Sequence, residues 1–290
     1  MAEVREVYAA KDKLGEVPVW DVAEQALYWV DIEGCRLRRL DHTSRKVDEW
    51  TFPERICSFA LREQGGMICA LASGLVFFNP ATGRIDWIAR PESHIPRNRF
   101  NEGKCDRQGR FWVGTMDDRL SEHTAALYRV DADLTITQVE TGIGISNSLA
   151  WSPDEKTFYF ADTMDSAIHA YDFDRDAGTI SRKRLFASTK GSAAAPDGST
   201  IDAEGFLWNA QWDGRRLVRY APDGQVDRIV ELPVQKPTSC MFGGPDLKTL
   251  YVTTAIWDLE GEALARQPLA GSLLAIEAEV PGLPEPRFHG

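Results

Sequence analysis

AEQALYWVD, from Ala23 to Asp31, is a polar turn followed by a strand of large apolar residues, and the same phrase returns five times. It stands as EQGGMICAL from Glu63, RQGRFWVGT from Arg107, PDEKTFYFAD from Pro153, AEGFLWNAQ from Ala203 and PDLKTLYVTT from Pro245. The first large apolar residues of the copies are Leu27, Met67, Phe111, Phe158, Leu207 and Leu250, which lie 40, 44, 47, 49 and 43 residues apart. A period of about 40–50 residues made of short strands is that of four-stranded propeller blades, which bury their faces only by stacking around an axis.

Each phrase leads into a second apolar run that ends in a turn: RLRRLDHTSRK from Arg36, LVFFNPATGR from Leu75, ALYRVDADL from Ala126, AIHAYDFDRDAG from Ala167 and LVRYAPDGQ from Leu217. The sixth copy keeps a strand, SLLAI from Ser272, without the turn. Asp, Asn, Pro and Gly in these turns close Asx turns or supply positive φ, so the flanking runs read as hairpins. Helical spacing is nowhere sustained. The expected fold is all-β, a six-bladed propeller of four-stranded antiparallel blades, with residues 1–290 forming one domain. The segment EVREVYAA from Glu3 is strand-like and precedes the first copy. It is expected to complete the last blade and close the ring, which removes exposed sheet edges.

Composition narrows the function classes. The formal charge of −11 argues against a nucleic-acid partner, which calls for a face of Lys and Arg. No run approaches the ~20 apolar residues that span a bilayer, and the N-terminal sequence has no secretory pattern, so the expected compartment is cytoplasmic without membrane attachment. The five cysteines, Cys35, Cys57, Cys69, Cys105 and Cys240, are odd in number and lack C-x-x-C spacing, and read as reduced core residues.

The repeat register locates a candidate site. The innermost strand of each blade precedes the repeated phrase, so stepping back 10 or 11 residues from each anchor reaches one structural phase at one end of the central channel. In four blades that position is Glu16, Asn101, Asn147 or Asp197; in the other two it falls near Cys57 and Ser239. Carboxylates and amides converging on an axis are costly to bury unless a cation or hydrogen bonds satisfy them. Glu16, Asn147 and Asp197 form an oxygen donor set that suits one hard divalent ion, Ca²⁺, Mg²⁺ or Mn²⁺, with Zn²⁺ or Fe²⁺ less typical without His or Cys ligands. A plainer reading is also open: Gly-Glu-x-Pro and Pro-Asp-Gly are common turn sequences, and Asn147 by itself would serve as a strand cap. The shared phase of all four favours the site.

LGEVPVW from Leu14, RFNEGKCDRQGRFWVGTM from Arg99, ISNSLAWSPD from Ile145, PDGSTIDAEGFLW from Pro196 and PTSCMFGGPDLKTLYVTTA from Pro237 resemble the SMP-30/gluconolactonase/regucalcin family. The resemblance implies a six-bladed propeller that hydrolyses a sugar lactone with one divalent metal. It implies Glu16, Asn147 and Asp197 as metal ligands, Asp197 also as general base, and Arg99 and Asn101 as substrate contacts. Two departures stand out. The family's acidic residue after GTM has no single match in GTMDDRL, which offers Asp117, Asp118 and Arg119, and the usual Gly-Glu-Gly-Pro is Gly-Glu-Val-Pro, with Val17 in place of glycine.

The five histidines show no paired ligand spacing, no G-x-S-x-G elbow marks a serine nucleophile, and no P-loop is present. Trp29, Trp112 and Trp208 fall inside the repeated phrase and are expected between blades, whereas Trp212 and Trp257 follow strand ends and are candidates for a pocket mouth. The alternatives to a lactonase are a phosphotriesterase or arylesterase on the same propeller, and a non-catalytic calcium-binding or protein-interaction propeller.

Overall fold

The computed structural model of the protein describes residues 3–290, so residues 1 and 2 of the expected domain lie outside it. Six four-stranded antiparallel sheets follow one another along the chain. The first blade is Gly15–Asp21, Ala26–Asp31, Arg36–Asp41 and Val47–Thr51, each strand paired with the next. The inner strands of the other five are Ile56–Leu61, Asn98–Cys105, Ser146–Trp151, Ala195–Ile201 and Pro237–Gly243. Each packs against the inner strands of the neighbouring blades, the last against the first. The sixth blade is closed by Val4–Tyr8, which pairs antiparallel with Leu273–Glu277, so the chain's first strand completes its last sheet as the sequence suggests.

Burial falls from the axis outward. Every residue of the first blade's inner two strands is buried, while the outermost, Val47–Thr51, is half-buried or exposed. The inner strands are covered on both faces by neighbouring blades, so their burial is continuous rather than alternating, polar residues included. Apolar clusters fill the gaps between blades. Trp29 packs with Trp20 and Tyr251 between the first and sixth, Trp112 with Trp151 and Phe158 between the third and fourth, and Trp208 with Phe242 between the fifth and sixth. Each such aromatic side chain contributes roughly 1.5–3 kcal/mol or more by leaving water.

The polar turn of the repeated phrase has a common shape. At least one residue in each copy adopts a left-handed backbone: Gln25, Gly65 with Gly66, Gly109, Glu155, Gly205 and Leu247. Glycine is required at Gly109, where a Cβ would sit 2.1 Å from the His289 ring. In the third copy Asp106 locks the turn, accepting the N–H of Gln108 and Arg110 and, at 2.8 Å, the indole N–H of Trp112. Asp202 does the same for Glu204, Phe206 and Trp208 in the fifth.

Residues 278–290 carry no repeat. They run beneath the ring along the turns that end the inner strands. Gly282 N–H donates to Leu247, Arg287 pairs with Asp21 at 2.6 Å, and Phe288 exchanges backbone bonds with Leu61 and Glu63. His289 N–H donates to Gly109, and Glu285 faces Lys104 at 3.9 Å. This strap covers the channel end opposite the residues of the shared phase.

One expectation needs correction, and one short element was not foreseen. A one-turn helix, Gly261–Ala265, lies in the long connection of the sixth blade. Cys35 is half-buried in a turn with φ +53° rather than in the core; the other four cysteines are buried, and all five are free thiols. No helix among the described residues is long and apolar enough to cross a membrane.

Candidate functional site

All six inner strands carry an irregularity at the same point. Pairing with the second strand slips between Glu16 and Val19, Ile56 and Ser58, Phe100 and Gly103, Asn147 and Ala150, Pro196 and Ser199, and Pro237 and Ser239. A bulge inserts a residue, bends the strand and re-aims side chains. Here it lies at each residue of the shared phase. The backbone takes left-handed values just after two of them, at Val17 (φ +47°) and Ser148 (φ +60°). After Asp197 comes Gly198, where a Cβ would lie 2.2 Å from Ser239 Oγ, so only glycine lets the fifth and sixth blades approach this closely.

The structure brings all five expected site residues, Glu16, Arg99, Asn101, Asn147 and Asp197, to one cavity of ≈ 300 Å³ at the upper end of the channel. Surveyed ligand pockets begin at about this size, which suits a monosaccharide-sized molecule. Asn101 Nδ2 donates to Asn147 Oδ1 at 3.1 Å and to the Ser146 carbonyl at 2.9 Å, and Asn147 Nδ2 donates to Thr163 Oγ1 at 2.8 Å. Those bonds fix which way the Asn147 amide faces. Arg99 donates to Asn101 Oδ1 at 2.8 Å and through Nε to Asp118 at 3.0 Å.

Glu16 and Asp197 are both buried, and neither has a salt-bridge partner among the described residues. The Glu16 carboxylate accepts the N–H of Val17 at 3.1 Å, while Asp197 engages its neighbours through its main-chain carbonyl, which accepts from Asn209 Nδ2 at 2.9 Å and from Ser148 Oγ. Burial, with Glu102 adding to it, pushes Glu16 up to about 8. Burial and the charges of Glu16 and Glu102 hold Asp197 well above the ordinary carboxylate range. Two desolvated carboxylates short of donors, next to an oriented amide oxygen, make an oxygen-only donor set of net charge −2, which fits a hard divalent cation.

Residues from other phases complete the wall. Of the run GTMDDRL, Asp118 lines the cavity and pairs with Arg55 at 2.7 Å. Asp117 is buried and caps its own loop, accepting the N–H of Arg119, Ser121 and Glu122. Arg97 pairs with Glu122 at 2.7 Å and is not part of the wall. Glu33, Asp213 and Lys236 line the cavity and escaped sequence reasoning because they stand on connections outside the repeated phase. Glu102 lies one residue beyond Asn101, where its adjacency was the only available signal; Leu149 N–H donates to it at 3.4 Å. Trp212 and Trp257 line the cavity as expected. A second group, His123, Asp162 and Asp165, brings three ligand-type side chains together elsewhere, but His123 and Asp165 are exposed and Asp162 already accepts the N–H of Gly144, Ile145 and Met164.

The family model for the SMP-30/Gluconolactonase/LRE-like region matches residues 14–256. The chain belongs to this family. It is an enzyme of the lactonase kind, similar over nearly its whole length to two bacterial relatives. It is 41% identical over 278 residues to the 6-deoxy-6-sulfogluconolactonase of Pseudomonas putida, covering 96% of this chain and 95% of that one. It is 37% identical to the L-arabinolactonase of Azospirillum brasilense, covering 97% and 93%. Among solved structures, a calcium-binding protein, regucalcin, from Agrobacterium tumefaciens superposes with a TM-score of 0.96 at 30% identity, covering 100% of this chain and 98% of that one.

Proposed function

We propose that the protein hydrolyses a sugar (aldono) lactone to its aldonic acid, with one divalent metal held by Glu16, Asn147 and Asp197. The observation that carries this reading is the pair of buried carboxylates without basic partners, set with an oriented amide oxygen in a cavity of monosaccharide size. Sugar lactones are named as substrates of two full-length relatives, which supports the same class here. When bound, the ion would polarise the ester carbonyl and lower the pKa of a water molecule. The chain's own residues do the rest. Arg99 and Asn101 hold the substrate's oxygens, and Asp197 takes the proton of the attacking water. The water oxygen bonds to the carbonyl carbon, the bond from that carbon to the ring oxygen breaks, and the ring oxygen leaves as a hydroxyl on taking the proton back from Asp197. Five free thiols suit a reducing compartment, so the proposal places the reaction in the cytoplasm.

The test is turnover by purified protein on gluconolactone, xylonolactone, arabinonolactone and a paraoxon-like ester, before and after chelation and with Ca²⁺, Mg²⁺, Mn²⁺, Zn²⁺ or Fe²⁺ restored. Lactone hydrolysis that is lost to the chelator and regained with a metal is the expected result. Turnover of the phosphotriester alone, or calcium binding with no turnover, would replace the proposal.

A further inference from the structure

The cavity holds a cation to which the proposed chemistry gives no task. Lys236 lines it and is 6% exposed. Its backbone is fixed, since its carbonyl accepts the N–H of Ala255 at 3.0 Å and Pro237 opens the inner strand of the sixth blade directly after it. The ammonium stands 4.3 Å from the centroid of the Trp212 ring and 3.3 Å from Asp213 Oδ1. That oxygen already accepts from Gln235 Nε2 at 2.8 Å. An ammonium has three N–H donors. One at most serves the ion pair, and the others have no protein acceptor among the described residues. Lys104, the other buried lysine of the channel, instead donates to the Ser199 carbonyl and faces Glu285. The remaining donors face the open cavity rather than the protein, so they are free to meet an acceptor on a molecule that enters it.

The position of Lys236 says which part of the substrate that acceptor belongs to. Arg99 opens the third blade and Lys236 opens the sixth, so in a ring of six they stand on opposite walls, with the channel floor of Glu16, Asn147 and Asp197 between them. Resting on the reading of the site as a lactonase, we infer that Lys236 determines specificity by binding the oxygen on the terminal exocyclic carbon of the substrate. The lactone then lies across the axis, its ester over the floor beside Arg99 and its tail toward Trp212 and Lys236. The acceptor is a terminal hydroxyl or an anionic group in its place, such as a phosphate or sulfonate; either offers the oxygen lone pairs the ammonium lacks.

Gluconolactone, its 6-deoxy analogue and its 6-phosphate differ only at that carbon and test the inference. The wild-type enzyme is expected to prefer at least one of the two oxygen-bearing lactones over the 6-deoxy compound by about tenfold or more in kcat/KM, a modest share of the discrimination that buried hydrogen-bonding sites reach. Lys236→Met should collapse that ratio through KM, and Lys236→Arg should keep most of it. Whichever lactone loses more in Lys236→Met identifies the acceptor as neutral or anionic. A ratio unchanged in Lys236→Met, or a uniform fall on all three lactones as a structural lesion would give, overturns the assignment. Calorimetric binding of gluconate, 6-deoxygluconate and 6-phosphogluconate to both proteins reads the same ratios without turnover. If none of the lactones is hydrolysed by the wild type, the lactonase reading fails; equal binding of the three acids then removes the role of Lys236 as well.

Discussion

Asn101 Nδ2 donates to Asn147 Oδ1 at 3.1 Å, so the amide expected only to meet substrate also sets the direction of a candidate metal ligand on the next blade. Asn101→Ala removes both contacts at once. Groups that orient a ligand typically carry 10–100-fold in metal affinity when lost. The expected result is a fall of about that size in metal affinity by calorimetry, together with a higher KM for lactone. Unchanged metal affinity would reduce Asn101 to a substrate contact.

Asp197→Asn tests the proton acceptor with little risk to the fold, because the main-chain carbonyl, and not the carboxylate, bonds to Ser148 and Asn209. A positioned general base contributes typically 10²–10⁴-fold, so kcat is expected to fall by ~10²-fold or more while the melting temperature holds. Turnover that survives the change assigns the base elsewhere.

Stripping the metal should expose the strain of the buried acids. Glu16 moves from an ordinary value of 4.5 to about 8 in the folded protein, and Asp197 moves the same way. The metal-free folded state therefore binds protons more tightly than the unfolded chain, and its stability falls as pH rises from about 4.5 to about 8. A cation relieves this by taking the place of the protons. The rise in melting temperature on adding metal is expected to be larger at the top of that window than near its middle, measured by thermal denaturation of chelated and reloaded protein. A gain that is flat or falling across the window would argue that the cation binds elsewhere.

Val17 is a buried β-branched residue with φ +47°, a conformation that costs L-residues roughly 1–2 kcal/mol. Val19, two residues along the same strand, is equally buried without that backbone. Both would leave a cavity on truncation to glycine, but only Val17→Gly recovers the strain. It is expected to cost about 1–2 kcal/mol less than Val19→Gly in urea unfolding. Equal costs would mean that the backbone at Val17 is relaxed.

The same residue shows how far the sequence reaches. The departure from Gly-Glu-Gly-Pro was visible, but its meaning was not, because a positive φ at one position depends on the bulge and the bulge on pairing with Ala26–Asp31. The six blades were legible because each must repeat the same turn and buried strand, and the closing strand Val4–Tyr8 because an unpaired edge needs a partner. Glu16, Asn101, Asn147 and Asp197 could be found by counting, since their alignment is a property of the repeat. Glu33, Asp213 and Lys236 could not. They sit on connections whose length varies from blade to blade, and only the closed ring brings them to the same wall. Residues 278–290 were silent for a related reason: they belong to no blade and take their shape wholly from the turns they cross.

That underside crossing makes the propeller a vessel with a base. The hydrogen-bonded seam in the sixth blade keeps the circle shut against splaying, while the belt from Gly282 to Gly290 ties the undersides of the sixth, second, first and third blades to one another. The cavity of Glu16, Asn147 and Asp197 lies at the other, unstrapped end, where Trp212 and Trp257 stand in its wall.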